Sequence, residues 1–98
     1  MAARLYYHAK EVYPDGYVLE IVIWQLPRPT PERPHALKYR MHYGRPDGTC
    51  IVRYDNEAGK GDHRHIGRRE EPYAFRDIET LLDDFFKDVS RARGGSHG

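Results

Sequence analysis

The chain has 98 residues, a net charge of +1 at pH 7, 39% hydrophobic and 12% aromatic residues, and one cysteine. This length allows one domain with a single core, and the content of aromatic residues excludes a chain that is disordered throughout. Because no apolar run approaches the roughly 20 residues that cross a bilayer, and residues 1–10 lack the apolar segment of a secretory signal, we expect a cytoplasmic protein without membrane contact.

The first two predicted elements are strands. Residues 4–13 and 17–26 are rich in Tyr, Val and Ile, and Pro14-Asp15-Gly16 between them supplies the turn of a β-hairpin. Apolar side chains of the second strand point to both faces, which predicts a strand inside the sheet. Residues 27–34 hold four prolines. Since proline lacks a backbone donor, this segment is predicted to be an extended connection.

A second hairpin is predicted from the alternation over residues 36–43. The apolar side chains fall on one face: Leu37, Tyr39, Met41 and Tyr43. The cationic ones fall on the other: Lys38, Arg40 and His42. Residues 45–48 then turn the chain into a strand over residues 49–54, in which Cys50 is expected to be a buried thiol. Together the two hairpins predict an antiparallel sheet of about four strands.

A helix is predicted after Asp77, whose side chain can cap its N-terminus. The apolar positions follow a helical repeat: Ile78, Leu81, Leu82, Phe85, Phe86 and Val89. The polar positions form the opposite side: Glu79, Asp83, Asp84, Lys87 and Asp88. We therefore expect an α+β fold in which this helix covers one face of the sheet and leaves the Lys38 face open. Residues 1–93 are predicted to form the domain, and residues 94–98 a flexible tail.

Basic residues are concentrated in the middle of the chain. Residues 28–69 contain ten Lys or Arg against five Asp or Glu, whereas residues 70–90 contain two against seven. A basic middle can hold a polyanion such as RNA, although a run of charges is often only a solvated face. The candidate nucleic-acid-binding residues are Lys38, Arg40, His42, Arg53, Arg68 and Arg69.

Residues 55–67 contain three glycines, two histidines and charges of both signs, and they are predicted to form a loop. Glycines let a backbone approach a ligand closely, and histidines exchange protons near neutral pH. If residues 62–65 are extended, His63 and His65 share one face of the chain, and Asp62 and Arg64 share the other. The candidate catalytic residues are His63, His65, Lys60, Arg64 and Asp62.

Three interpretations of this segment remain open. In the first, one histidine takes the proton of a ribose 2′-hydroxyl, the other protonates the leaving 5′-oxygen, and Lys60 or Arg64 stabilises the charge on phosphorus, without metal or other cofactor. In the second, the two histidines hold a metal ion together with a carboxylate such as Asp62 or Glu71. In the third, the segment is a polar surface loop whose histidines form only local hydrogen bonds.

The segments with this chemistry carry a family resemblance. They are Tyr54-Asp55-Asn56, residues 59–65, Glu70 or Glu71 with Pro72-Tyr73, Phe75, and Leu82, Phe85 and Val89 of the helix. In this order they resemble the TumE toxins of bacterial type II toxin–antitoxin systems, and residues 20–24 and 38–40 fit as well. The resemblance implies a toxin encoded beside a DNA-binding antitoxin, expected to be a helix-turn-helix protein, that neutralises it by direct contact.

The residues and the resemblance together favour a toxin that cleaves or disables RNA. The cationic sheet face is expected to bind phosphates, and the segment from Lys60 to His65 to act on them. Two alternatives remain: a non-catalytic nucleic-acid- or protein-binding module of the same operon, and a metal-dependent nuclease.

Overall fold

The computed structural model describes residues 3–57 and 59–94. Its elements are β1 (Arg4–Val12), β2 (Val18–Gln25), β3 (Leu37–Gly44), β4 (Cys50–Asp55), β5 (His63–Ile66), β6 (Arg69–Pro72) and α1 (Ile78–Ala92). The six strands form one antiparallel sheet in the order β1-β2-β3-β4-β5-β6, and α1 packs on one face over β4. Residues 95–98 of the predicted tail lie outside the described residues. Within the described part of the chain, no helix is long and apolar enough to cross a membrane.

The first hairpin joins β1 to β2 at the predicted turn. The Tyr13 N–H donates to the Tyr17 carbonyl at 2.8 Å, and Gly16 has a φ of 87°, which glycine adopts without strain. Because β3 pairs with the other side of β2, β2 lies inside the sheet. The structure therefore confirms both the hairpin and the interior position of β2.

The second hairpin, β3 to β4, confirms the predicted alternation. The apolar side chains of β3 are buried: Leu37, Tyr39, Met41 and Tyr43. On the other face Lys38 and Arg40 are exposed and His42 is half-buried. The buried Asn56 side chain accepts a hydrogen bond from the Tyr39 N–H at 3.0 Å and donates one to the Leu37 carbonyl at 2.8 Å. These two bonds hold β3 beside the chain where β4 ends. Cys50, which was expected to be buried, is half-buried at the start of β4.

The sheet has six strands and not about four, because part of the predicted loop forms the hairpin β5 to β6. β5 pairs with β4 from Val52↔Ile66 to Asp55↔His63. Gly67, at a φ of 62°, lies in the turn to β6. Neither strand shows apolar alternation, since one face of this hairpin is open and the other carries the charged side chain of Arg64. The prediction relied on hydrophobic periodicity, which these strands lack.

Helix α1 begins as predicted, since the Asp77 carboxylate accepts a hydrogen bond from the Thr80 N–H at 2.7 Å. The side chains buried against the sheet include Leu81, Phe85 and Val89. Two predicted positions were wrong. Phe86 is 43% exposed, whereas Asp88, which was expected to face solvent, is buried. The buried row runs along one narrow side of α1, and Asp88 lies on that side because the Tyr54 hydroxyl and the Arg64 guanidinium meet it there.

Candidate active site on the open sheet face

The face of the sheet opposite α1 collects polar side chains from all six strands. Residues directly opposite in an antiparallel pair share a face, so the register identifies this open face. Arg40 is paired with Val22 and Asp55, and Arg53 is paired with His42 and His65. The polar and aromatic side chains of the open face are His8, Lys10, Glu20, Trp24, Lys38, Arg40, His42, Arg53, Asp55, His63, His65 and Glu70.

Two histidines and two carboxylates meet at one end of this face, on β4, β5 and β6. We call Asp55, His63, His65 and Glu70 the histidine–carboxylate cluster. His63 Nε2 lies 2.7 Å from Asp55 Oδ1 and 3.4 Å from Glu70 Oε2. The same Glu70 oxygen lies 3.1 Å from His65 Nε2. The extended geometry predicted for the two histidines thus brings them to one face, with ring centroids 5.4 Å apart.

The cluster has a buried half and an exposed half. The side chains of Asp55 and His63 are only 3% and 7% exposed, whereas those of His65 and Glu70 are 26% and 46% exposed. Only the second pair is therefore accessible to a large substrate. Arg53 borders both halves, since its Nε lies 3.2 Å from Asp55 Oδ2 and its Nη2 lies 3.5 Å from His65 Nε2.

The tautomer of His63 follows from its backbone contact. Its Nδ1 lies 3.0 Å from the carbonyl oxygen of Gly61. Because a carbonyl oxygen only accepts, Nδ1 carries the hydrogen, and in the neutral ring Nε2 presents a lone pair to the two carboxylates. The close contact between Nε2 and Asp55 Oδ1 lacks hydrogen-bond geometry, and this buried oxygen has no hydrogen-bond partner among residues 3–57 and 59–94.

A basic strip of Lys38, Arg40 and Arg53 leads away from the cluster. It reaches a groove of about 760 Å³ lined by Trp24, Lys38 and Arg40, among others, in which Trp24 is the cross-strand partner of Lys38. Trp24 is 37% exposed. His42 lies beside the strip, but burial and the neighbouring Arg53 and Arg40 lower its pKa below the ordinary 6.5. At neutral pH the strip is therefore charged by arginine and lysine, and His42 adds no charge.

Two candidate catalytic residues face away from the cluster. Arg64 points toward α1, where its guanidinium donates to Glu71 at 2.7 Å and to the Tyr54 hydroxyl at 3.1 Å and lies 3.3 Å from Asp88. These contacts raise the pKa of Arg64, with the Tyr54 hydrogen bond as the largest cause. The other is Asp62, whose carboxylate accepts the Tyr39 hydroxyl at 2.8 Å and lies 3.1 Å from His35 Nε2.

Asp62 and Arg64 are thus engaged in contacts that hold the fold together. Burial, together with the hydrogen bond to Asp62, raises the pKa of Tyr39, so its hydroxyl stays protonated and keeps donating at neutral pH. The alternation of β5 turns Arg64 away from the two histidines, as predicted. Asp62 lies in the bend just before β5, and its contacts with Tyr39 and His35 hold its carboxylate.

The remaining candidate cations lie at different distances from the open face. Lys60 is exposed in the turn before β5 and lines a depression of about 370 Å³ together with Asp62, His63 and Glu70, although the Asp62 carboxylate itself is held by Tyr39 and His35. Arg68 is exposed in the turn between β5 and β6. Arg69 shares the α1 side of β6 with Glu71, and its Nε lies 3.2 Å from that carboxylate. Of these three, Lys60 is the one that shares a depression with residues of the cluster.

Sequence reasoning missed three residues of this face as site residues. The sequence did contain a signal for Asp55. Arg53 and Asp55 are alternate residues of β4, so they form a polar face like that of Lys38, Arg40 and His42 on β3. Trp24 gave no such signal, because a tryptophan within an apolar strand is expected to belong to the core. Glu70 joins the histidines only through the β5–β6 register, in which it pairs with His65. A carboxylate ligand was expected from Asp62 or Glu71, and the structure brings Glu70 there instead.

The chain was compared with protein families, curated proteins and solved structures. No curated protein and no solved structure matches the chain significantly. The model of one protein family, described as Toxin TumE, matches residues 2–93. This range contains every strand, the helix and the whole histidine–carboxylate cluster. Because the match covers nearly the whole chain, the chain belongs to the Toxin TumE family.

Proposed function

We propose that this toxin cleaves RNA bound across the open face of its sheet, and that a cognate antitoxin, expected to be a helix-turn-helix DNA-binding protein, neutralises it by direct contact. The observation that carries the proposal is the meeting of His63, His65, Asp55 and Glu70 at the end of the basic strip. Residues that can move protons or hold a metal thus lie beside residues that can hold phosphates.

The basic strip and its groove supply the binding surface. Lysine and arginine side chains bind the phosphates of a single strand, and an exposed indole stacks on an unpaired base. Lys38, Arg40 and Trp24 lie around one groove, and Arg40 also borders the next depression, which Arg53 lines. A strand laid along this path runs from the base-stacking ring to the histidine–carboxylate cluster.

Cleavage of RNA at this end needs a group that takes the proton of the ribose 2′-hydroxyl as its oxygen bonds to phosphorus to form a cyclic phosphate. It also needs a group that protonates the 5′-oxygen as the bond from that oxygen to phosphorus breaks. His65 and Glu70, the accessible pair, can divide these roles, with His63 3.4 Å from Glu70 behind them and Lys60 near the charge that develops on phosphorus. A metal ion held by the same histidines can instead stabilise that charge. Both routes place the reaction at the cluster and make it depend on His65, the more exposed of its two histidines.

The test is induced expression of the chain in bacteria, with growth and total RNA followed over time. His65→Ala and Glu70→Gln are compared with His8→Ala, a matched control. His8 Nε2 lies 3.0 Å from Glu20 on the same face but at the far edge of the sheet, a geometry close to that of His65 and Glu70.

We expect wild type and His8→Ala to arrest growth and degrade RNA, and the cluster variants to lose at least about 100-fold in cleavage rate. Each variant is first checked for a cooperative melting transition. Undiminished RNA degradation in folded His65→Ala and Glu70→Gln would contradict cleavage at the cluster. Growth arrest with intact RNA in the wild type would contradict RNA cleavage and favour a toxin that acts without cutting RNA.

A further inference from the structure

We propose that His63, His65 and Glu70 bind one divalent transition-metal ion, such as Zn²⁺ or Mn²⁺, through the two Nε2 atoms and one carboxylate oxygen. One ligand atom of each residue lies within 4.8 Å of the other two. Two imidazoles and a carboxylate form a donor set that suits such ions. The binding itself is independent of the RNA substrate, whereas a role for the ion in cleavage rests on the proposed function.

Two of the three distances between the ligand atoms fit a tetrahedral ion, and the third is at most 4.8 Å. Ligands that each lie about 2.1 Å from a tetrahedral metal are about 3.4 Å from one another. Glu70 Oε2 lies 3.4 Å from His63 Nε2 and 3.1 Å from His65 Nε2. The three side chains therefore need only small movements to reach one ion, and β4, β5 and β6 hold them in register.

The backbone contact of His63 orients the ring for coordination. Histidines that bind metals usually donate the other ring N–H to a carbonyl or carboxylate, which fixes the tautomer with a free lone pair toward the ion. His63 Nδ1 makes this contact with the Gly61 carbonyl. Its Nε2 is thereby aimed at Glu70 and Asp55 as a lone-pair donor, which is the form that a metal ion requires.

The charges of the cluster also call for a cation. Asp55 Oδ1 is buried, has no hydrogen-bond partner in the described part of the chain, and lies 2.7 Å from His63 Nε2, which in the neutral ring carries a lone pair. Arg53 contacts the other oxygen of that carboxylate. A buried carboxylate oxygen beside a lone pair is unfavourable unless positive charge lies between or near them. A proton on His63 removes the repulsion between its Nε2 and Asp55 only. A divalent ion does the same and is also coordinated by His65 and Glu70.

An ion at this position faces solvent on the exposed side of the cluster. Three protein ligands and an open fourth position are the pattern of catalytic metal sites. Such an ion beside the basic strip can bind a phosphate oxygen or lower the pKa of a bound water. Asp55 remains close to His63 and supplies a second negative charge, which favours a divalent over a monovalent cation.

The experiment measures metal binding by the full chain without RNA. Protein stripped with EDTA and dialysed is titrated with Zn²⁺ and with Mn²⁺ by calorimetry at pH 7.5, and its melting temperature is recorded with and without the ion. We expect one equivalent to bind, the melting temperature to rise, and Glu70→Gln and His65→Ala to weaken binding at least tenfold. His8→Ala should bind as the wild type does.

Absence of saturable binding, or equal affinity in wild type and Glu70→Gln, overturns the metal site. Glu70→Gln keeps the shape of the side chain, so it tests the ligand even if His65→Ala fails to fold. Failure of this inference and failure of the proposed function give different results. RNA cleavage that persists in EDTA, with no metal bound, rejects the ion and keeps the nuclease. Tight metal binding by a protein that leaves RNA intact keeps the metal site and rejects the nuclease.

Discussion

His63 Nε2 and Asp55 Oδ1 lie 2.7 Å apart where β4 and β5 pair in register, and both side chains are almost completely buried. The two residues are direct cross-strand partners, so the sheet itself holds this contact. Because the Gly61 carbonyl takes the Nδ1 hydrogen, the contact joins an acceptor to an acceptor whenever His63 is neutral. The pair is therefore suited to a bound cation more than to a hydrogen bond.

This relationship predicts that Asp55→Asn behaves differently with and without metal. In EDTA the variant should lose no more than about 1 kcal/mol in free energy of unfolding, since an amide can donate to the lone pair that the carboxylate opposed. At a Zn²⁺ concentration 100 times the wild-type Kd, the wild type should gain about 2.7 kcal/mol. A variant with tenfold weaker affinity should gain only about 1.4 kcal/mol.

Urea unfolding with and without Zn²⁺ measures both values, with Asp83→Asn, an exposed helix carboxylate, as the control. The control should match the wild type under both conditions. A loss of several kcal/mol by Asp55→Asn in EDTA, or an undiminished gain with Zn²⁺, would contradict this account of the pair.

The second prediction assigns Arg64 to stability. Arg64→Met leaves the buried Asp88 carboxylate without its closest guanidinium. The free energy of unfolding should fall by about 2–3 kcal/mol, which is less than for a fully buried pair because Arg64 keeps some solvent contact. The double variant Arg64→Met/Asp88→Asn removes the uncompensated charge and should recover at least about 1 kcal/mol of that loss. Urea unfolding of the two single variants and the double variant measures the coupling.

In the same experiment the folded double variant should bind Zn²⁺ like the wild type, since Arg64 and Asp88 lie on the α1 side of the sheet. Additive losses in the double variant would show that the two side chains do not depend on one another. A loss of metal binding without a loss of stability would show that Arg64 acts at the active site and not in holding the fold.

Two adjacent phenylalanines test the packing of α1. Phe85 is fully buried and lies 5.6 Å from the Tyr54 ring, centroid to centroid, whereas Phe86 is 43% exposed. Phe85→Ala should cost about 3–5 kcal/mol, because it removes a buried ring and leaves a cavity. Phe86→Ala should cost less than about 1.5 kcal/mol. Equal shifts of the urea midpoint in the two variants would show that the helix is rotated from the position described.

The fourth prediction separates charge from stacking in RNA binding. Arg40→Gln should weaken binding to a single-stranded RNA and lower the slope of log K against log salt by about one, since one phosphate contact is lost. Trp24→Ala should cost about 1–3 kcal/mol at every salt concentration and leave the slope unchanged. Lys87→Gln, an exposed cation on α1, is the matched control and should keep both affinity and slope.

Fluorescence anisotropy over a range of salt concentrations measures affinity and slope together. An affinity for RNA that does not change with salt would remove the basic strip from the binding surface. Equal losses in Lys87→Gln and Arg40→Gln would show that RNA responds to overall charge and not to this face.

The fifth prediction concerns His42 and pH. Burial and the charges of Arg53 and Arg40 hold its pKa below 6.5, while Glu20 opposes them. As pH falls through 6.5, the unfolded chain takes up a proton at this position before the folded chain does, so stability decreases. His42→Gln removes this contribution, which is less than about 1 kcal/mol because the ring is half-exposed.

Melting curves at pH 7.5 and 5.5 measure the effect. The wild type should lose more stability between the two values than His42→Gln does. Parallel losses would mean that other groups account for the whole pH dependence.

The local pattern of the sequence was enough to predict the two hairpins, the helix after Asp77 and the open cationic face of β3. These features depend on residues a few positions apart, through turn chemistry, capping and the periods of strand and helix. The exposed Phe86 and the buried Asp88 escaped prediction. Periodicity identifies an apolar side of a helix, but the rotation of that side depends on what lies beneath it.

The candidate site itself was decided by the tertiary structure. Sequence placed His63 and His65 on one face of an extended segment, because alternate side chains of a strand share a face. It could not bring Asp55 and Glu70 to them, since those contacts depend on the pairing of β5 with β4 and of β6 with β5. Register between strands is set by backbone pairing along a whole hairpin, and a shift of one residue turns every side chain to the other face. The β5–β6 hairpin has no apolar alternation to reveal that register, so only the folded sheet shows which carboxylates the histidines meet.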